Sequence, residues 1–240
     1  MDLRARLRNS RFVFWVYNRL LGRNRFAGTR GNTLDIGCAR LDRVRVRMHG
    51  TGNVLRIADG CVLRGCTFDL SGDGNRVLIG KDTLLLDLEC VTEDAHNTVS
   101  LGAQCAVLGR THLAAIEGTR IDIGPDRMFG DDVQVRTGDS HSLVDENGQR
   151  VNPSRDVVIG PHVWLCARSI CLKGTHLGEG CVLGTCAVAS GDLAQPHCVL
   201  AGIPARVTKT GITWKKERIP VRQEAPETAQ GGKEPHGKIG

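Results

Sequence analysis

Residues 159–194 read IGPHVW-LCARSI-CLKGTH-LGEGCV-LGTCAV-ASGDLA, six blocks of six residues. The first positions are Ile159, Leu165, Cys171, Leu177, Leu183 and Ala189, all apolar. The fifth are Val163, Ser169, Thr175, Cys181, Ala187 and Leu193, small or β-branched in every block but the last. Neither a 3.6-residue helical stripe nor a two-residue strand alternation generates a period of six.

The same phase recurs upstream at a longer interval, in GNTLDIG (31–37), GNVLRIA (52–58), GNRVLIG (74–80), HNTVSLG (96–102) and GTRIDIG (118–124). Their shared aliphatic residues, Ile36, Ile57, Ile79, Leu101 and Ile123, lie 21, 22, 22 and 22 residues apart. Ile123 and Ile159 are 36 apart, and Ile159 and Leu177 are 18 apart. If three blocks make one coil, the longer gap is one coil plus an excursion over about 139–156. A chain of short strands with repeating inward positions stacks into a solenoid, each coil burying its neighbour's interior. A TIM barrel needs long amphipathic helices that 31–200 lack, and a leucine-rich repeat has a different leucine pattern.

Composition agrees with a narrow interior. Of 240 residues, 40% are hydrophobic but only 4% aromatic, with 30 glycines and 10 cysteines. Five of the nine aromatics (Phe12, Phe14, Trp15, Tyr17, Phe26) fall in the first 26 residues. The interior is therefore expected to exclude aromatics and to take Ile, Leu, Val, Ala, Thr and Cys. Disorder is excluded for the body by its abundant aliphatics and 24% charge. Residues 1–30 hold eight arginines against Asp2, whereas 31–220 carry 21 basic and 22 acidic side chains. The basic balance belongs to the N-terminal segment, and no nucleic-acid partner is expected.

The hexads resemble the left-handed parallel β-helix of the hexapeptide-repeat acyltransferases. DSHS (139–142), VNP (151–153), VVIGPHVW (157–164), LKGTHLGEGCVLG (172–184) and LAGIPARV (200–207) resemble their sugar and capsular-polysaccharide O-acetyltransferase branch. The likeness is full over about 120–215 and degenerate over 31–119. It implies an all-β solenoid of about seven to eight coils, with an N-terminal helix and one protruding loop. It also implies a homotrimer with sites between subunits, acetyl-CoA as donor and a carbohydrate acceptor. Direct transfer without a covalent enzyme intermediate is implied as well. Transfer to an amino group, and a non-catalytic scaffold, are the alternatives.

Acetyl transfer to a hydroxyl needs a base, donors for the oxyanion and two substrates held together. Histidine titrates near neutrality, and the resemblance implies that His141, in the excursion, is the base. Asp139 lies two residues earlier; in an extended segment both would point the same way, so the carboxylate could orient the imidazole. A turn-forming Asp139 is the other reading, and Asp145 competes for the orienting role. Trp164 is expected to face outward, to stack on a sugar or the pantetheine arm, or to pack against a neighbouring subunit. The resemblance also implies donor contacts at Ala167, Thr185, Ser190 and Gly191, with Arg206 and Lys209 near the nucleotide phosphates. Related enzymes often carry Thr-Lys where this chain has Ser190-Gly191, and glycine where it has Cys166.

No metal is expected. The solenoid also serves zinc-dependent carbonic anhydrases, which use a close H-x-x-x-x-H pair. The histidines here, at 49, 96, 112, 141, 162, 176, 197 and 236, include no pair five apart. The cysteines form no C-x-x-C and read as reduced apolar fillers.

No apolar run approaches the ~20 residues needed to span a bilayer, and no signal peptide is legible. A cytoplasmic protein is expected, peripheral at the inner membrane face if its N-terminus binds lipid. Residues 1–30 read as a basic, aromatic unit, helical over 2–22, that either caps the solenoid or lies on a membrane. The solenoid is expected over 31–209, an extension over 210–220 and a disordered tail over 221–240.

Overall fold

The computed structural model describes residues 10–220. The first residues of the expected helix and the whole of the expected tail lie outside them. Beyond Gly22 the chain winds into a triangular prism of parallel coils. Its three faces are sheets of eight, eight and nine strands, in which every third strand is a hydrogen-bonded neighbour. Face A runs from Arg25–Ala27 to Val188–Ala189, face B from Thr33–Ile36 to Asp192–Leu193, and face C from Arg40–Asp42 to Cys198–Gly202. Each coil visits B, C and A in turn, so the prism has about eight coils.

The repeat positions become ladders. Ile36, Ile57, Ile79, Leu101, Ile123, Ile159 and Leu177 pair rung by rung along the inside of face B. In the hexads, Ile159 lies on face B, Leu165 on face C and Cys171 on face A, one block per face. The fifth positions Val163, Ser169, Thr175, Cys181 and Ala187 are buried at the corners. Leu193 departs from its block because the last turn is shortened, and it pairs with Leu177 as the next rung of face B. Each fully buried leucine or isoleucine contributes roughly 1.5–3 kcal/mol of apolar burial.

The expectation that aromatics stay outside fails at two places. Phe68 and Phe129 are fully buried within the prism. Phe68 sits between Val46 and Cys90 on face A, and Phe129 between Val107 and Leu165 on face C. Smaller rung neighbours leave each ring its space, so the interior conserves volume across rungs rather than at each one. A second exception is Arg127, fully buried at a corner. Its guanidinium donates to the carbonyls of Pro125 and Ile159, both at 2.8 Å, and burial pushes its pKa down to about 10. Gly124 makes room for it, since a Cβ there would lie 2.3 Å from Nη2.

The long coils are knit at one corner by a stack of side-chain amides. Asn32, Asn53, Asn75 and Asn97 each accept, through Oδ1, the backbone N–H of the equivalent residue one coil on. Thr119 ends the stack, and its hydroxyl shares a 2.6 Å hydrogen bond with Thr137. The Nδ2 groups of Asn53 and Asn75 donate to turn carbonyls, so these buried side chains are satisfied.

The first coil is covered by a helix, and face C is extended by one strand at the other end. Helix α1 (Arg11–Leu20) starts at Ser10, whose hydroxyl accepts from Val13 N–H. It lies over the first coil, and its one buried residue, Asn18, donates to Ala39 C=O and accepts from Leu41 N–H, each at 2.9 Å. At the other end Ala205–Thr210 folds back antiparallel on Cys198–Gly202. These two elements protect sheet edges that would otherwise be open.

Candidate active site

Between Arg136 on face A and Val157 on face B the chain leaves the prism and forms a folded loop. Its base is closed by Arg155 N–H donating to Thr137 C=O at 2.8 Å. Arg150 bridges to Glu117 across 2.5 Å, and Ser154 N–H donates to the same carboxylate. These partners hold the Glu117 pKa down at about 2. Asn152 is buried and organises the interior of the loop. Its amide nitrogen donates to Asp139 and to His141 C=O, both at 2.8 Å, while its oxygen accepts from Leu143 N–H.

The His141 side chain is exposed at the foot of this loop, and its imidazole makes no hydrogen bond among the described residues. Asp139 does not meet that ring. Ser140 adopts a φ of 63°, so the segment is not extended and the expected alternation is broken. The Asp139 carboxylate instead accepts from Lys173 and Asn152, and these partners, Lys173 first, hold its pKa below the ordinary value. Asp145 closes the loop tip, accepting from Asn147 and Gln149 N–H at 2.9 and 2.8 Å.

The donor-contact candidates divide between two edges of the prism. Ala167 and Thr185 are on successive rungs of the edge joining faces C and A, linked by Cys186 N–H donating to Ala167 C=O. Arg206 pairs in register with Ala201 near that edge, and Lys209 pairs with Val199 on face C. Ser190 and Gly191 lie instead on the edge joining faces A and B, where Lys173 and the loop base also lie. Among the described residues, no partner is bonded to the backbone N–H of Ala167, Thr185, Ser190 or Gly191. These amides are donors free to meet a ligand.

Trp164 lies half-buried on the outside of face C, in a row with Met128 and Val182. It is not an open platform. Trp214, from the extension after the last strand, packs 6.2 Å from it and stacks on His162 at 4.4 Å. Trp214 Nε1 donates to His162 C=O, His162 contacts Asp126 at 2.6 Å, and Lys216 reaches the same carboxylate at 2.9 Å. Sequence reasoning missed this clasp, although a tryptophan in an otherwise polar extension was a signal for it. It also missed the roles of Asn152 and Lys173, although both lie within the quoted VNP and LKGTH motifs; their contacts with Asp139 appear only in the folded chain.

Among the described residues, no group of three His, Cys, Asp or Glu could hold a metal ion, and the cysteines form no disulfide. Cys66, Cys90 and Cys171 are buried, and burial pushes each thiol up to about 12.

No protein-family profile matches the sequence. A polysialic acid O-acetyltransferase of Neisseria meningitidis is 30% identical over 189 residues, 78% of this chain and 86% of that protein. This chain belongs to the hexapeptide-repeat acyltransferases. A second polysialic acid O-acetyltransferase, from Escherichia coli O1:K1 / APEC, is 28% identical over 97 residues, 40% of this chain and 31% of that one. The solved structure of the polySia specific acetyltransferase NeuO superposes with a TM-score of 0.70 at 26% identity, over 81% of this chain and 88% of that chain. The prism is thus the left-handed parallel β-helix of these enzymes, and the protein is an acyltransferase. In this acyltransferase the excursion from the coils bears an unpartnered histidine, and the short coils after it carry the free amides.

Proposed function

We propose that this acyltransferase moves an acetyl group from acetyl-CoA to a hydroxyl of a surface polysaccharide or its precursor, with His141 as general base. The observation that carries this reading is the exposed, unpartnered His141 imidazole on a loop anchored at both sides of its base. The neutral ring takes the hydroxyl proton as the oxygen attacks the thioester carbonyl. The tetrahedral intermediate collapses by breaking the C–S bond, and the coenzyme A sulfur leaves with the proton carried by the ring. The products are an acetyl ester and free coenzyme A, with no covalent enzyme intermediate. Asp139 acts on this base at one remove. It fixes Asn152, which holds the His141 carbonyl, so its role is to position the backbone.

In one chain the loop rises from the A/B edge, whereas the Ala167 and Thr185 amides lie on the C/A edge. A neighbouring copy that sets its C/A edge against the loop brings base and donor together, as in the trimer expected from the family. Two apolar surfaces support such an assembly. The outer row of face C before the Trp214 clasp reads Val62, Leu84, Ala106 and Met128, and the loop exposes Leu143 and Val144. Within that arrangement the free amides would receive the pantetheine carbonyls, and Arg206 and Lys209 the phosphates. The acceptor class rests on the names of the polysialic acid O-acetyltransferases.

Coenzyme A release from acetyl-CoA, measured with polysaccharides, simple sugars and amine acceptors, tests the reading. Release stimulated by a polysaccharide supports it. Release only with amines, or none with any carbohydrate, overturns it.

A further inference from the structure

Helix α1 covers the first coil with only part of its circumference. Asn18 and, less deeply, Phe14 face the prism, and Tyr17 receives a hydrogen bond from Arg40. At about 100° per residue, Trp15, Arg19, Phe12, Val16, Leu20 and Val13 form one continuous arc on the opposite side. Phe12 is 72%, Trp15 58% and Leu20 74% exposed. The Phe12 and Trp15 rings stack on the surface with centroids 6.2 Å apart. Capping the solenoid leaves Phe12, Val13, Trp15 and Leu20 exposed, and a cap facing water has no need of them.

Charge says what covers this arc. Residues 1–30 carry eight arginines and one acid, while the body of the chain is near neutrality. Arg11 is paired with Asp35, and Arg19 lies over the Phe26 ring at 5.7 Å, but Arg23 and Arg30 are exposed without an ion pair among the described residues. Beside Arg11, Trp15 and Arg19 the helix leaves a cleft of about 190 Å³ against Phe26, Leu34 and Ile36. The cleft combines guanidinium groups at its mouth with apolar walls. No helix among the described residues is long and apolar enough to cross a membrane. Stacked aromatics and a leucine on one arc, in a segment carrying eight arginines against one acid, match the headgroup boundary of an anionic bilayer.

We propose that the outer arc of helix α1 docks the protein on an anionic lipid surface, with Phe12, Trp15 and Leu20 entering the headgroup–acyl boundary. The prism then stands with its first coil toward the bilayer and its acyl-transfer end away from it. Docking of this kind concerns binding alone and does not rest on the acceptor or the base.

Flotation of the full chain with vesicles tests it, comparing phosphatidylcholine alone with an equimolar mixture of phosphatidylcholine and phosphatidylglycerol. Binding to the mixed vesicles is expected, weakening at least tenfold as ionic strength rises from about 0.1 M to about 1 M. Phe12→Ser, Trp15→Ser and Leu20→Ser together should lower it by at least about tenfold without moving the unfolding midpoint. Leu20→Asp alone provides a second variant with less change to the helix, and should also weaken binding. Failure of the wild-type chain to float, or equal flotation of the variants, overturns the proposal. So does a wild-type oligomer in lipid-free solution that these substitutions dissociate, because the occupant of the arc would then be a second copy. None of these readouts uses acetyl transfer, so a failed docking test leaves the catalytic reading intact, and the reverse holds.

Discussion

The coils before the loop and the coils after it build the same triangle by different means. Over 31–124 a coil takes 21 or 22 residues, its face-A strands reach five or six residues, and one corner is knit by the asparagine stack. Aspartates cap the backbone N–H of the coil before, Asp73 for Thr51 at this same corner and Asp59 for Cys38 and Asp131 for Arg110 at the other two. After the loop a full coil takes 18 residues, and the strands from Val157–Ile159 to Asp192–Leu193 keep only two or three residues each. The corner side chains become small, and the carboxylate caps end. At the position after Asp131 on the same edge stand Ala167 and then Thr185, with free N–H groups. The long coils cap one another with corner carboxylates and amides, while the short coils carry smaller side chains at Ala167 and Thr185.

Substitutions on either side of the loop should therefore have opposite signatures. The largest effect is expected from His141→Ala, which removes an exposed ring with no partner. Turnover should fall about 10²–10⁴-fold with an unchanged denaturation midpoint; retention of full activity would refute the base assignment. Asn75→Ala tests the other half. It leaves the Asn97 N–H and the turn carbonyls of Ser71 and Asp94 without their buried partner. A loss of about 2–4 kcal/mol in denaturant unfolding is expected, with turnover per folded molecule unaltered. A stable Asn75→Ala protein would show that the stack contributes little. The smallest effect is expected from Ala167→Asp, which writes a long-coil cap into a short coil. Its carboxylate should occupy the edge and repel a phosphorylated donor. A rise in donor KM of about tenfold at constant stability would be the signature, whereas unchanged donor KM would detach that edge from donor binding.

The hexads and the 22-residue phase were enough to place the rungs of face B from Ile36 to Leu177, though not Leu193, because an inward position repeats in a solenoid whatever its neighbours do. The Gly-Asn turns marked in the sequence proved to be the asparagine stack, a role set by contacts between coils that no single turn reveals. Volume within the prism was misjudged at Phe68 and Phe129 for a related reason. Whether a ring fits depends on Cys90 and Val107, which lie 22 residues away in sequence. The loop and His141 were legible as an interruption of period. The partners of Asp139 were not, since a positive φ at Ser140 redirects the carboxylate and Lys173 lies 34 residues further on. Likewise Trp164 was correctly turned outward, but its cover by Trp214 depends on how an irregular extension folds back.

The regular stacking also makes the long-coil half a measure of distance. Between the first rung at Ile36 and the rung at Ile159 there are five steps of face B, and parallel strands are about 4.8 Å apart. The loop thus stands some 24 Å above the coil on which helix α1 rests. Because a coil touches only the coils above and below it, one 22-residue unit could be duplicated or lost without disturbing either end. Height would change by a single increment of about 4.8 Å, so descent within such a lineage could tune reach in discrete steps while leaving the chemistry alone.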